Sequence, residues 1–397
     1  MTSHFITKRH EDLRAQVRAF AEAEVVPRIP EMEASKEVQH KLARLIAQQG
    51  WFGVTIGTGY GGMGAGHLAR VLIIEGLSRY SAAAGGIAQA SILGDAKILH
   101  WANSQQKKKW LPEIAEGRCL PTIAVTEHGS GGHVLGMETT AKRRRGGWVL
   151  NGRKCYVGNS HVGDVHGVVV RTGRGNRSRD LSCFLVQADT PGLSLAPHKP
   201  AIGMHGFSFG ELIFDNCVVP DENLLGEEGD GRDIADSSSV LYGRLNLAAV
   251  ALGLHRAAYE ETVAFCNDRQ RYGSDLGDLA VVNARMGEMR HRLETSRTAV
   301  YEAAHMLDTG QECDVKLMSA KYGAVQSGIH SAWDAMRTYG AAGLFSNHSI
   351  ERIWRDLPCI EPPAGTSDVQ LHRLGQKSRR TKYEPWSSRL AHLLTAA

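Results

Sequence analysis

The hydrophobic rhythm of this chain changes twice, and that double change restricts its architecture more than any single motif. Up to about residue 118, apolar residues recur at three- and four-residue steps, as in Leu13, Val17, Phe20 and Ala21, which places them on one face of a helix. From Cys119 to about Arg232 the text turns to short alternating or β-branched runs at 121–125, 148–151, 167–170, 183–186 and 211–214. Turn text such as R-R-R-G-G and D-T-P-G separates these runs, so a small barrel or sandwich of strands is expected. After the glycine-rich G-E-E-G-D-G at 226–231 the helical period returns. The stretch 240–269 predicts one helix of about 45 Å, followed by helices near 280–307, 314–339, 349–355 and 367–374. The expected fold is α+β and multidomain: an N-terminal α-helical domain (1–118), a central β-barrel or sandwich (119–232) and a C-terminal four-helix-bundle domain (233–397).

Composition mainly excludes. A net charge of +4 spread over 397 residues is too small and too scattered to point to nucleic acid. No stretch reaches the 18 or so apolar residues of a membrane span, and the N-terminus lacks the apolar core of a signal peptide. The seven cysteines contain no C-x-x-C pair, so neither a zinc site nor a disulfide framework is expected, and a reducing, cytoplasmic setting fits best. His128/His133 and His161/His166 are each five apart, on opposite faces of an extended strand, so no metal site is expected. The stretch G-T-G-Y-G-G-M-G-A-G (57–66) contains a literal GxGxxG. A dinucleotide cradle needs a strand before it and a βαβ unit around it. The flanking text is helical, which favours a plain glycine loop.

Five separated segments resemble, in order and spacing, the acyl-CoA dehydrogenase family. They are I-A-V-T-E-H-G-S-G-G (123–132), L-N-G-R-K-C-Y-V-G-N (150–159), N-D-R-Q-R-Y-G (267–273), R-T-Y-G-A-A-G (337–343) and R-D-L-P-C-I-E-P-P-A-G-T-S-D-V-Q (355–370). S-Q-Q-K-K-K-W-L-P (104–112) is also similar to the element that closes that family's first domain. The resemblance implies FAD. Val125, Thr126, Gly131, Gly132, Tyr156 and Gly158 would border its ring, with Thr126 hydrogen-bonded to it and Tyr156 where a tryptophan covers one face. Arg269 would stand at the pyrophosphate of a neighbouring subunit's FAD, a contact suited to guanidinium, which implies a homodimer or homotetramer, and Tyr272 belongs to the same implied cofactor set. Arg337, Gly340, Ala341, Gly365, Thr366 and Asp368 complete the implied cofactor set. L-Y-G-R-L-N and Y-G-A-A-G look most like the branch that handles acyl-carrier-protein thioesters in polyketide extender-unit pathways of secondary metabolism.

The chain departs from the family where the chemistry should be. Ala364 stands in the place of the usual catalytic glutamate, and Gly243 matches the position that carries the base in a minority of members. Neither accepts a proton. Glu361, three residues before Ala364, and His205, on a loop that approaches substrate in the family, are the remaining candidates for a base; Glu361 is alternatively an ion-paired or surface carboxylate. Gly158 replaces a hydroxyl residue near flavin N5, which suggests open space there. The primary expectation is an FAD-dependent dehydrogenase acting on an acyl thioester of CoA or an acyl carrier protein. The alternatives are an oxygen-using flavoenzyme on the same scaffold and a non-catalytic homologue.

Overall fold

The computed structural model describes residues 5–175, 177–379 and 384–394. Six helices come first: α1 (Lys8–Phe20), α2 (Ile29–Ser35), α3 (His40–Ala47), α4 (Gly66–Ser78), α5 (Ala82–Trp101) and α6 (Ser104–Ala115). The sequence supplies the start of α6. Asn103 accepts from the Gln106 backbone N–H at 2.9 Å and Gln106 accepts from the Asn103 N–H at 3.0 Å, a reciprocal cap that satisfies two orphan donors. The glycine run before α4 folds onto itself: Gly64 donates to Ile56, and a Cβ on Gly62 would lie 2.1 Å from the Ile56 oxygen. The first strand begins only at Pro121, so no βαβ unit surrounds this loop and it is a turn.

Helix α5 is buried on nearly every side, as a helix without a polar face must be. Its small residues admit neighbours closely. A Cβ on Gly94 would lie 2.2 Å from the Pro121 oxygen, and one on Gly86 would lie 2.6 Å from Met204 Cε. The run A-A-A-G-G-I-A-Q-A-S is therefore the seam between the helical layer and the strands.

The strands are β1 (Pro121–Ala124), β2 (Thr140–Arg144), β3 (Gly147–Gly158), β4 (Val165–Arg171), β5 (Leu181–Gln187), β6 (Leu193–Leu195), β7 (Phe209–Pro220) and β8 (Leu224–Leu225). They form one sheet in the order β6-β7-β3-β2-β4-β5-β8, with β1 beside β4. Of the two expected forms, the closed barrel is not adopted: β6 and β8 are unpaired ends. Side chains from β1 to β5 and β7 nonetheless share one enclosed core around Trp148, Phe184 and Phe214, so the sheet folds over without closing. Strand β2 is hidden in the sequence because K-R-R reads as turn text. The turn itself is Arg145-Gly146, with Gly146 at φ 78°, a conformation glycine adopts freely.

One bulge sets the direction of the end of β3. Between Lys154↔Leu212 and Val157↔Gly210, β3 carries one residue more than β7. Tyr156, at φ 54°, absorbs the excess. Just before the bulge, Lys154 is fully buried and donates to Glu127 Oε1 at 2.8 Å and to the Val125 carbonyl at 2.9 Å. Glu127 also accepts from the backbone N–H groups of Glu138 and Thr139. Burial pushes the Lys154 amine down to about 8. Burial raises the Glu127 carboxyl, but Lys154 and the Glu138 N–H outweigh it and hold it below its usual value.

The remaining helices are α7 (Gly231–Ser238), α8 (Arg244–Asp268), α9 (Ala280–Asp308), α10 (Asp314–Tyr339), α11 (Ser349–Asp356), α12 (Ser367–Arg379), and the short α13 (Trp386–Arg389) and α14 (Ala391–Leu394), with a small hairpin, β9 (Gln270–Arg271) and β10 (Ser274–Asp275), before α9. Helices α8, α9 and α10 pack together, α11 and α12 lie on α10, and α4 packs on both α8 and α9. The single helix expected over 240–269 is broken at its start by a π-helical turn, Ser239–Gly243. Arg70 of α4 donates to the Leu241 carbonyl at 3.1 Å and lies 4.1 Å from the Tyr242 ring, the kind of insertion that opens a helical ladder. Among the described residues no helix is long and apolar enough to cross a membrane.

Lys154→Met strands the Glu127 carboxylate beside two backbone donors without its cation. The expected loss is about 3–5 kcal/mol of unfolding free energy, measured by urea denaturation; a loss below about 1 kcal/mol, typical of an exposed pair, would show that the pair is not effectively buried.

Candidate active site

Backbone strain marks the site independently of any motif. Among the described residues seven that are not glycine have positive φ, and Tyr156, Asn159, Met204 and Ala364 are four of them. Such conformations cost about 1–3 kcal/mol each and gather at functional sites. Three of the four lie near α5: Asn159 donates to the Ile87 carbonyl and to Ser91, Met204 packs on Gly86, and Ala364 lies by Gly243 near Leu93. Gly86, Ala90 and Leu93, spaced i, i+4, i+7, share a face. Gly86 meets Met204 and Phe207, a Cβ on Gly158 would lie 3.2 Å from Ala90, and one on Gly243 would lie 3.8 Å from Leu93 and 2.9 Å from the Ala364 Cβ. The two positions to which the resemblance gives a base thus face each other directly.

The rim beside this stripe comes from the ends of β1 and β3. The Val125 and Thr126 carbonyls accept from Lys154 and from the Cys155 N–H, whereas the Thr126 hydroxyl has no hydrogen-bond partner among the described residues. A Cβ on Gly131 would meet nothing within 4 Å, and one on Gly132 only Val369 at 3.9 Å, so the backbone there is open to a flat ligand. The bulge turns Tyr156 outward: it is 65% exposed, with only the His128 ring edge-on at 5.9 Å. Gly158 overturns one expectation. The space above it is filled, since a Cβ there would lie 3.2 Å from the Phe207 ring.

The opposite wall is the loop 361–366. Lys321 of α10 is buried, and its ammonium donates to the carbonyls of Glu361 (3.0 Å), Pro363 and Gly365, one for each N–H. Gln370 donates to the Ala364 carbonyl at 3.0 Å and the Gly365 carbonyl at 3.1 Å. The Thr366 hydroxyl accepts from the Val369 N–H. Asp368 is exposed in the first turn of α12, where the helix dipole favours an anion. Ala364 is thereby held at φ 55° and Gly365 at φ 92°.

Both side chains expected as alternative bases are engaged elsewhere. The Glu361 carboxylate accepts from the Ser367 backbone N–H at 2.5 Å, capping α12. His205 is buried with Nδ1 3.1 Å from Glu33, and Arg355 donates to the same Glu33 oxygen at 2.6 Å. The neighbouring Asp356 accepts from the Met204 N–H at 2.5 Å, and burial raises its carboxyl to about 6.

A second group gathers at the far end of α8 and α10. Phe265 stacks on Tyr339 at 3.9 Å, and Arg269 lies 5.8 Å from the Phe265 ring. This stack joins the end of α8, where Arg269 follows, to the end of α10, where Arg337, Gly340 and Ala341 stand. Arg337 pairs with Asp334 at 3.4 Å, whereas Arg269 has no ion pair among the described residues. Tyr272 is 94% exposed. No hydrogen bond or ring contact among the described residues joins this group to the rim around Thr126.

Comparison with known proteins decides the family. Residues 7–118, 122–217 and 229–378 match the N-terminal, middle and C-terminal domains of acyl-CoA dehydrogenases. The chain belongs to the acyl-CoA dehydrogenase family. It is 33% identical to an acyl-CoA dehydrogenase of Bacillus subtilis over 92% of this chain and 96% of that one. Its fold superposes on butyryl-CoA dehydrogenase from Megasphaera elsdenii with a TM-score of 0.93 and 26% identity, covering 96% and 100% of the two chains. It also matches the FAD complex of PigA, with a TM-score of 0.89 and 25% identity over 95% and 99%. A flavin ring fits the rim: the backbone at 131–132 is open, the Thr126 hydroxyl is unpartnered and Tyr156 is uncovered.

Four residues escaped the sequence. Lys321 sits in an ordinary helical run, S-A-K-Y, and only the fold brings it to residues 361–365. Phe207 is an unremarked apolar residue beside His205. Glu127 and Lys154 lie within two matched segments, yet neither segment shows that they are partners.

Burial pushes the Lys321 amine down to about 7, with Glu361 pulling it up and Arg244 pushing it down. The unfolded amine titrates at the usual 10.5, so between these values the unfolded chain holds a proton that the folded chain lacks. Stability therefore rises with pH across that window. Urea unfolding of wild type between about pH 7 and 10 should show this rise, and Lys321→Met should lack it; equal slopes would remove Lys321 as its source.

Proposed function

We propose that the chain is an FAD-dependent oxidoreductase acting on an acyl thioester carried by CoA or an acyl carrier protein, without a carboxylate at the family's two base positions. The observation that carries this reading is the apposition of Gly243 and Ala364 against α5, next to a rim whose shape suits a flavin ring. FAD, when bound, supplies acceptance of a hydride from the substrate. The protein's own residues bind and orient. Thr126 offers its hydroxyl to the ring, Tyr156 offers an aromatic cover, and Gly86, Ala90, Leu93 and Phe207 line an apolar, water-poor wall for the acyl group. Glu361 and His205 remain the nearest titratable groups in sequence and on the substrate loop, but their hydrogen bonds to Ser367 and Glu33 compete with any role as base. The oxygen-using reading draws on chemistry that needs no carboxylate base and on open space at Gly158; Phe207 occupies that space. We also propose a homodimer or homotetramer in which the exposed Arg269 and Tyr272 meet the FAD of a neighbouring subunit.

Anaerobic mixing of the flavin-loaded protein with short CoA and carrier-protein thioesters tests the reading. Bleaching of the oxidised flavin band without air supports it. No bleaching with any thioester, together with rapid oxygen consumption after chemical reduction, would favour the oxygen-using alternative; a protein that retains no flavin would favour the non-catalytic one.

A positioned base typically contributes about 10²–10⁴-fold, so Ala364→Glu should raise the bleaching rate by a gain in that range, as should Gly243→Glu. The double variant should do no better than the best single one, because the two Cβ atoms would stand only 2.9 Å apart and the carboxylates would repel. Unchanged rates in both single variants, with flavin retained, would show that proton removal does not limit the reaction.

A further inference from the structure

Phe207 and Gly158 share one space. Gly158 ends β3 and pairs with Phe209 of β7, and the chain just before β7 doubles back so that the Phe207 ring lies over Gly158. A Cβ on Gly158 would be 3.2 Å from Phe207 Cζ, and one on Gly86 would be 3.2 Å from Phe207 Cδ2. The ring is therefore wedged between the seam helix and the rim. Phe209 closes on it edge-to-face at 4.7 Å, a favoured aromatic arrangement.

The loop that carries the ring is fixed from three sides. Asp356 accepts from the Met204 N–H at 2.5 Å, Gly206 accepts from the Gln39 N–H at 2.9 Å, and Ser208 accepts from the Asn159 N–H at 3.1 Å. Met204 is held at φ 55° and Gly206 at φ 101° to make the turn. A segment so strained and so tied has little freedom to swing away. Phe207 is 3% exposed, so the ring is a buried wall.

We propose that Phe207 is a specificity-determining residue that seals the Gly158 side of the flavin pocket against dioxygen, so that reduced cofactor keeps its electrons for another acceptor. This inference rests on the proposed flavin site. The step it suppresses is a two-electron transfer: reduced flavin returns to its oxidised form, and dioxygen takes the electron pair with two protons and leaves as hydrogen peroxide. A Cβ on Gly158 would already crowd the ring, so packing of this closeness leaves little room there for a small apolar gas. A glycine at 158 would by itself open that room; the aromatic ring fills it.

The test is a double-mutant cycle on the flavin-loaded protein: wild type, Phe207→Ala, Gly158→Thr and the pair together, with Phe207→Leu as a milder variant. Each is photoreduced without air and mixed with oxygenated buffer, and its thermal unfolding midpoint is recorded. Phe207→Ala should speed reoxidation about tenfold or more, and Phe207→Leu should fall between it and wild type. Gly158→Thr alone should lower the midpoint. Adding Phe207→Ala should restore part of that loss and slow reoxidation again, because the threonine then fits where the ring was. Unchanged reoxidation in Phe207→Ala overturns the proposal, as do midpoint effects that simply add, the behaviour of side chains that do not touch. If no variant or wild type retains flavin, the proposed function fails and the oxygen barrier with it, while the unfolding cycle still decides whether the two residues share space.

Discussion

Helix α5 can lie so close to the sheet and to the loop 203–208 because positions 86, 90 and 94 carry almost no side chain. Glycine inside a helix costs about 1 kcal/mol relative to alanine, so Gly86 and Gly94 are a local weakness. The gain is close approach. Each lets a backbone or a buried side chain come within a distance that one methyl group would forbid. The stripe of Gly86, Ala90 and Leu93 is a by-product of the same packing, and Met204, Phe207, Gly158 and Gly243 all approach it.

Buried charge then holds what the packing brings together. Lys154 and Lys321 are both removed from water and surrounded by oxygen acceptors, and each lies beside a strained residue, Tyr156 in one case and Ala364 in the other. A desolvated amine is costly unless its hydrogen bonds are complete, so each site favours the one backbone arrangement that completes them. That preference offsets the strain of a left-handed tyrosine and a left-handed alanine. Residue 364 is an alanine, and the carbonyls of Pro363 and Gly365 on either side of it are held by Lys321.

The order of helices, strands and helices was legible because it depends on local period, and α10 was legible to its ends because its apolar spacing is clean and Gly340 stops it. The π-turn at 239–243 was not, since its cause, Arg70, lies in another helix. Strand β2 was hidden by its own arginines, which stand on an exposed edge. At the site, the segments around Thr126, Tyr156 and Ala364 could be found by likeness, but not what their side chains touch. Glu361, expected either as a base or as a surface or ion-paired carboxylate, accepts from the Ser367 N–H at the start of α12; Gly158, expected to leave open space, lies against the Phe207 ring. In both cases the sequence shows which group a residue carries or lacks, whereas only the fold shows its neighbour.

The central claim is that a flavin ring lies along the rim formed by Thr126 and residues 156–158, facing the loop that carries Ala364. A crystal structure of the protein grown with excess FAD tests it most directly. The account predicts density for the ring within hydrogen-bond distance of the Thr126 hydroxyl and in contact with Tyr156. A crevice closed by protein side chains, with Tyr156 folded into it and no cofactor bound, would contradict it.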